Sequence, residues 1–240
     1  MKIECTIKSG GIPPADFVQT LNKIGAVIDV IAEGEPALSR QNWRMQGDSL
    51  EEAQSSEVYQ ADGVPSPSAI EELRNELGGD TVASFGIWGG QVRAEFGASV
   101  EVLACGGEFP DTVTISARGA FVDESKDRVA AIVARAALEF APAVISAAPK
   151  GYEEKQAFDD RPGVGWMLYL PVDVTVQQVP EAQELIPVLA ADGKKRLGTI
   201  IVSIKDEPFS VDNEEHLVVA HNIEVRLISM DLLPLLGEIG

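Results

Sequence analysis

The chain has 240 residues, 45% of them hydrophobic and 24% charged, and its 38 acidic against 19 basic side chains give a formal net charge of −19. The apolar fraction is too high for a disordered acidic chain, and the length suffices for a core of ordinary density in one large domain or two small ones. The charge opposes unaided binding to nucleic acid or to an anionic membrane, because phosphates would be repelled.

Residues 1–120 hold 18 acids and 8 bases, and residues 121–240 hold 20 and 11, so the excess belongs to the whole surface rather than to a tail. The densest acidic runs are pairs: Glu51-Glu52, Glu153-Glu154, Asp159-Asp160, Asp206-Glu207 and Glu214-Glu215. Such a surface is either plain solvation or a face that docks a basic partner, whose approach it would speed. Apolar and polar residues alternate from Lys2 to Lys8 with no signal-peptide core behind them. The longest uncharged stretch, 81–92, has twelve residues, too few to span a bilayer. The expectation is a soluble, cytoplasmic protein. Cys5 and Cys105 lie in apolar, strand-like contexts and read as buried thiols.

In chain order, Ile3, Cys5 and Ile7 predict a half-buried strand over 2–8. Phe17, Leu21, Ile24, Ile28 and Ile31 form one apolar stripe and predict a helix over 15–32. A short strand at 42–46 and a polar loop over 47–66 follow. Ser68 and Glu71 have capping-box spacing and predict a helix to Leu77, ended by Gly78-Gly79. Three β-rich runs, 82–88, 92–104 (bent at Gly97) and 112–117, suggest an antiparallel meander, with Gly89-Gly90 as a turn. A helix over 124–146 points Val129, Ile132, Val133, Ala136 and Phe140 inward, and Pro142 should kink or end it.

Residues 149–163 form a polar loop where two lobes would meet. The apolar run 164–172 reads as a central strand. Pro180 opens a short helix over 180–190, and 198–204 is another apolar strand. A helix over 212–232 has Leu217, Ala220, Val225, Ile228 and Leu232 as its stripe and Asp212, Glu214 and Glu215 at its N-terminus. The alternation of Ile223, Val225, Leu227 and Ser229 also fits a strand in its second half. The fold class is α+β: a mostly antiparallel sheet with helices packed on it, in a single 1–240 domain or two lobes of similar size.

Most catalytic signatures are absent: no phosphate-binding loop, nucleophile elbow, paired Cys-x-x-Cys or His-Glu-x-x-His occurs. Gly163-Val164-Gly165 begins like a dinucleotide fingerprint, but a strand follows and the third glycine is missing, so it reads as a turn. His216 and His221 are about 140° apart on a helix and would not readily chelate one ion. They read as surface or interfacial histidines. Trp88 and Trp166 read as core, and Trp43 beside Arg44 as partly exposed. One enzyme pattern exists in outline. Pro110-Asp111 and Glu153-Glu154-Lys155 parallel the Pro-Asp and Asp/Glu-x-Lys of metal-dependent nucleases, whose carboxylates hold Mg²⁺ while the lysine helps activate water. A metal-dependent hydrolase using Asp111 and Glu153 is therefore the alternative reading. Against it stand the polar loop around Glu153, the intervening helix and the repulsion of a phosphate substrate.

Several segments together resemble a known family. They are Asn42-Trp43 with the Gly47-Asp48 turn, Ala61-Asp62-Gly63 before a Pro/Ser-capped helix, and Gly86-Ile87-Trp88-Gly89-Gly90. The most distinctive is Arg161-Pro162-Gly163-Val164-Gly165-Trp166-Met167-Leu168-Tyr169-Leu170-Pro171, and Asp231-Leu232-Leu233-Pro234 closes the series. In this order they are similar to the immunity protein 52 family of bacterial polymorphic toxin systems. The resemblance implies an α+β, non-enzymatic antitoxin, encoded beside a restriction-endonuclease-fold nuclease toxin that type VI secretion often delivers. It implies cytoplasmic binding of that toxin domain, no cofactor and no metal; it fixes no binding residues. A nuclease presents a basic groove, which carboxylates can occupy or flank. The candidate partner-binding residues are therefore those of two polar, acidic connectors: Glu153, Glu154, Asp159 and Asp160, and Asp206, Glu207 and Asp212.

Overall fold

A computed structural model describes residues 1–47, 56–90 and 95–240. The Gly47-Asp48 turn, Glu51-Glu52 and the predicted strand start at Val92 reach outside the described residues. Among the described residues the strands are β1 (Lys2–Ile7), β2 (Trp43–Met45), β3 (Ala83–Gly90), β4 (Gly97–Ala104), β5 (Asp111–Arg118), β6 (Val144–Ala148), β7 (Met167–Leu170), β8 (Glu184–Leu189) and β9 (Arg196–Val202). The helices are α1 (Phe17–Gly34), α2 (Pro67–Leu77), the short α3 (Ala120–Asp123), α4 (Lys126–Phe140) and α5 (Glu214–Ser229). The strands form one sheet in the order β2-β3-β4-β5-β1-β6-β7-β9-β8, every neighbouring pair antiparallel. The protein is α+β. Four strands lie on each side of β1, and the 149–163 connection joins the sheet neighbours β6 and β7.

Alternation explains β1: Ile3, Cys5 and Ile7 are buried on the face under the helices, and Lys2 and Glu4 point the other way. The α1 stripe of Phe17, Leu21, Ile24, Ile28 and Ile31 is wholly buried, and the Asp16 side chain caps the helix by accepting the Gln19 N–H at 3.1 Å. α1 packs on α4, which crosses one half of the sheet from the central β1 to the edge strand β8. In β4 and β5 roughly every second residue is buried, whereas β7 is buried throughout. The sheet is thus open on one face over β3–β5 and covered on both faces at β7.

Several expectations need correction; Gly89-Gly90, expected as a turn, continue β3 and pair with Ala98 and Gly97. α4 ends at Phe140, with Ala141 in the left-handed region (φ 45°) and Pro142 behind it. Residues 144–146, predicted as the end of that helix, belong instead to β6, because Pro142 stops the helix and the segment fits between β1 and β7. Residues 184–189 form the edge strand β8 and not a helix. Pro187 would interrupt a helix interior but is tolerated at a sheet edge. Ser66, followed by Pro67 at the first helical position, stands at the N-cap of α2 in place of Ser68. Trp43 is fully buried, its indole N–H donating to the Leu38 carbonyl at 2.8 Å, while Trp88 is only half-buried. α5 is a single helix, but its buried residues are His216, Ala220, Ile223, Glu224 and Leu227, a stripe rotated from the predicted one.

Candidate functional site

The surface most open to function is built around an acid that the sequence reading passed over. Glu224 is 1% exposed on the inner face of α5. Its Oε1 accepts the Tyr152 hydroxyl at 2.7 Å and the Val164 N–H at 2.8 Å, and its Oε2 accepts the Ala157 N–H at 2.9 Å. These bonds compensate a buried carboxylate and moor the 152–164 segment to α5. Burial first, and the Glu224 carboxylate second, push the Tyr152 phenol far above its ordinary value, so it remains a donor. Gly165, at φ 54°, brings this segment so close to β6 that a Cβ there would lie 2.5 Å from that of Ala148. Gly165 forms a bridge to Ala147, so it serves close approach to β6 rather than the turn expected of Gly163-Val164-Gly165.

The 206–212 segment reaches the same helix. Phe209 packs edge-on against Tyr152, ring centroids 5.5 Å apart, and lies 5.6 Å from the His216 ring. His216 is 4% exposed, which corrects the expectation of a surface histidine. Its Nδ1 accepts the Ser210 N–H at 3.0 Å and its Nε2 faces Glu207 Oε1 at 3.3 Å. His221 Nε2 donates to the Lys155 carbonyl at 2.7 Å. Two connectors far apart in sequence thus meet on one helix. Glu153, Glu154, Asp159, Asp160, Asp206, Glu207 and Asp212 are all exposed there. Among the described residues none of the seven pairs with a lysine or an arginine, and Glu207 meets only the His216 ring.

A cleft of about 160 Å³ opens where the 149–163 segment meets the free sheet face, lined by Lys2, Glu4, Ser146, Tyr152, Glu153 and Arg161 among others. Lys2 Nζ pairs with Glu4 Oε2 at 2.7 Å, and the Arg161 guanidinium donates to the Leu233 carbonyl. Glu4, chiefly through that bond, holds the Lys2 amine above its ordinary value, with Glu153 and Glu101 adding to it. The two cations balance Glu4 and Glu153, so the cleft is not the acidic feature of the molecule.

Asp111 and Glu153 are not brought together. Asp111 is buried, its Oδ2 accepting the Ile12 N–H at 2.8 Å and its Oδ1 the Cys105 N–H at 2.6 Å. It pairs with Ile7 at one end of β1, whereas Lys2, which lines the cleft with Glu153, is at the other, about 17 Å away at strand rise. Asp111 braces two loops against β5. Among the described residues no group of three or more His, Cys, Asp or Glu side chains is placed to hold a metal ion, and no helix is long and apolar enough to cross a membrane. Cys5 and Cys105 are buried free thiols, and desolvation pushes both upward.

The chain matches no family model and no curated protein. Among solved structures it is similar to the Pseudomonas aeruginosa T6SS protein PA0821, with a TM-score of 0.51 and 11% identity, over 96% of this chain and 81% of that one. At this identity the likeness is one of fold. The α+β fold of this chain is thus similar to that of a protein of a type VI secretion system.

Proposed function

We propose that the protein is an immunity protein of the immunity protein 52 type, which binds a cognate restriction-endonuclease-fold nuclease toxin in the cytoplasm and protects the producing cell. The observation that carries this reading is the fold shared with a type VI secretion protein along nearly the whole chain. The acidic surface supplies the chemistry. Exposed carboxylates of the 153–160 and 206–212 connectors, gathered at α5, suit a basic groove built to hold phosphates. They raise the association rate more than the affinity, so tight inhibition needs apolar anchors beside them. The protein acts by binding, without a cofactor and without contacting nucleic acid or membrane itself. A hydrolase working through Asp111 and Glu153 draws no support from their positions at opposite ends of β1.

Co-expression with the toxin encoded by the neighbouring gene tests the reading. Cells survive and the two proteins co-elute in gel filtration if it is right; dying cells and separate elution refute it. Reversing Glu153, Glu154, Asp159 and Asp160 to lysine slows association, and an unchanged on-rate removes that connector from the contact.

A further inference from the structure

α5 differs from the other long helices in what it shows to solvent. The exposed positions of α1 are Val18, in its first turn and 37% exposed, and then Gln19, Asn22, Asp29 and Glu33. Those of α2 include Glu71, Arg74, Asn75 and Glu76, and α4 fully exposes only Asp127. α5 instead exposes Val218 and Val225, at 56% and 53%, with Asn222 between them. They stand seven residues apart and share one stripe, with Ser229 in line behind them. Valine is stiff at χ1 and a weaker helix former than the lysine, glutamate or alanine that serve on a solvated helix face. Two such residues in register, exposed and apolar, gain nothing from solvent and nothing from the helix.

The stripe lies in an acidic frame. On one side, His221 and Glu224 hold the segment that carries Glu153, Glu154, Asp159 and Asp160. On the other, Arg226 holds Glu181 through Nη2 at 2.5 Å and Nε at 3.0 Å. At the N-terminal end stand Asp206, Glu207, Asp212, Glu214 and Glu215, all exposed. An apolar centre within a charged rim is the anatomy of a protein-binding hot spot. The sign of the rim selects the occupant. Nucleic acid would be repelled, and a second copy on a two-fold axis would set acidic rims against each other. A basic protein surface with an aliphatic or aromatic side chain among its lysines and arginines fits both parts.

We infer that the outward stripe of α5, centred on Val218 and Val225, is the anchor that the basic toxin surface covers. The inference rests on the immunity reading above and names the part of the surface that gives it affinity. The rim acids steer the encounter; the valines and Asn222 hold the complex once formed.

The test uses the full chain and, as probe, the toxin domain encoded by the neighbouring gene with its metal-binding carboxylates replaced. Val218→Ala with Val225→Ala raises helix propensity and leaves the melting temperature in place. It should weaken binding about 10- to 100-fold, mostly through faster dissociation. Val218→Asp with Val225→Asp should weaken it further. If the wild-type chain binds and both double variants bind as tightly, the inference is overturned and the immunity reading stands. If the wild-type chain neither binds nor protects, the immunity reading fails and takes this inference with it. A dimer of the isolated protein in light scattering, dissolved by the aspartate variant, overturns it in favour of a second copy.

Discussion

α1 and α5 are similar in length and opposite in design. α1 buries a stripe of Phe, Leu, Ile and Val with a single threonine and shows mainly polar side chains to water, so its position follows from area removed from solvent. α5 buries a histidine and a glutamate among three apolar residues and leaves two valines outside. Its position follows from directional bonds, above all the three that converge on Glu224. A helix held by area tolerates a change of apolar shape; a helix held by a buried carboxylate tolerates no change of chemistry.

That contrast sets an order of effects. Glu224→Ala leaves one hydroxyl and two N–H groups without their acceptor and should cost about 3–5 kcal/mol in chemical denaturation. Ile28→Ala in α1 removes a fully buried side chain and should cost about 2–5 kcal/mol through the cavity it leaves. The conservative pair separates the two designs more sharply. Glu224→Gln, nearly isosteric, should cost about 1–3 kcal/mol, and Ile28→Val only about 0.5–1.5 kcal/mol. Equal costs would show that α5 is held by packing after all. Val225→Ala should leave stability within about 0.5 kcal/mol, because the side chain is half in water. The smallest effect is at Glu181, whose carboxyl the Arg226 hydrogen bond holds below the ordinary 4.5. A lowered carboxyl contributes stability above its unfolded value and loses it as pH falls through the folded one. The gap in melting temperature between wild type and Glu181→Gln should therefore be present at pH 7 and close as the solution is taken below about pH 4.5.

Local pattern made β1, α1 and β5 legible, because each is long enough to show its period and one face of each is buried. β6 and β8 were not, for opposite reasons. Val144–Ala148 is rich in alanine and continues a helical run, so only its partners β1 and β7 reveal it as a strand. Glu184–Leu189 follows a helix-starting proline, and its own Pro187 signals an edge only once the sheet order is known. Composition marked the two acidic connectors as exposed, and all seven candidate residues lie at the surface. Their meeting on α5 was hidden, because Glu224 finds its partners 60, 67 and 72 residues earlier in the chain. The phase of α5 did contain a signal: Glu224 stands four residues after Ala220 and three before Leu227, on the buried side. The stripe drawn through Val225 missed it. Trp43 misled because its polar neighbours in sequence suggested exposure, while its indole N–H meets the Leu38 carbonyl inside the fold; His216 is buried too, its Nδ1 meeting the Ser210 N–H.

β1 has a consequence in time as well as in space. β1 is synthesised before the other strands of this sheet yet sits in its middle, paired with β5 from Asp111 and with β6 up to Ala148. Neither seam can close until more than a hundred further residues exist. At roughly 5–20 residues per second, β1 waits about 7–30 s on the ribosome for β6. The β3-β4-β5 meander needs no such delay. Folding is then limited by the return of β1 to a half-built sheet, a long-range closure that places the fold among the slower ones for its size.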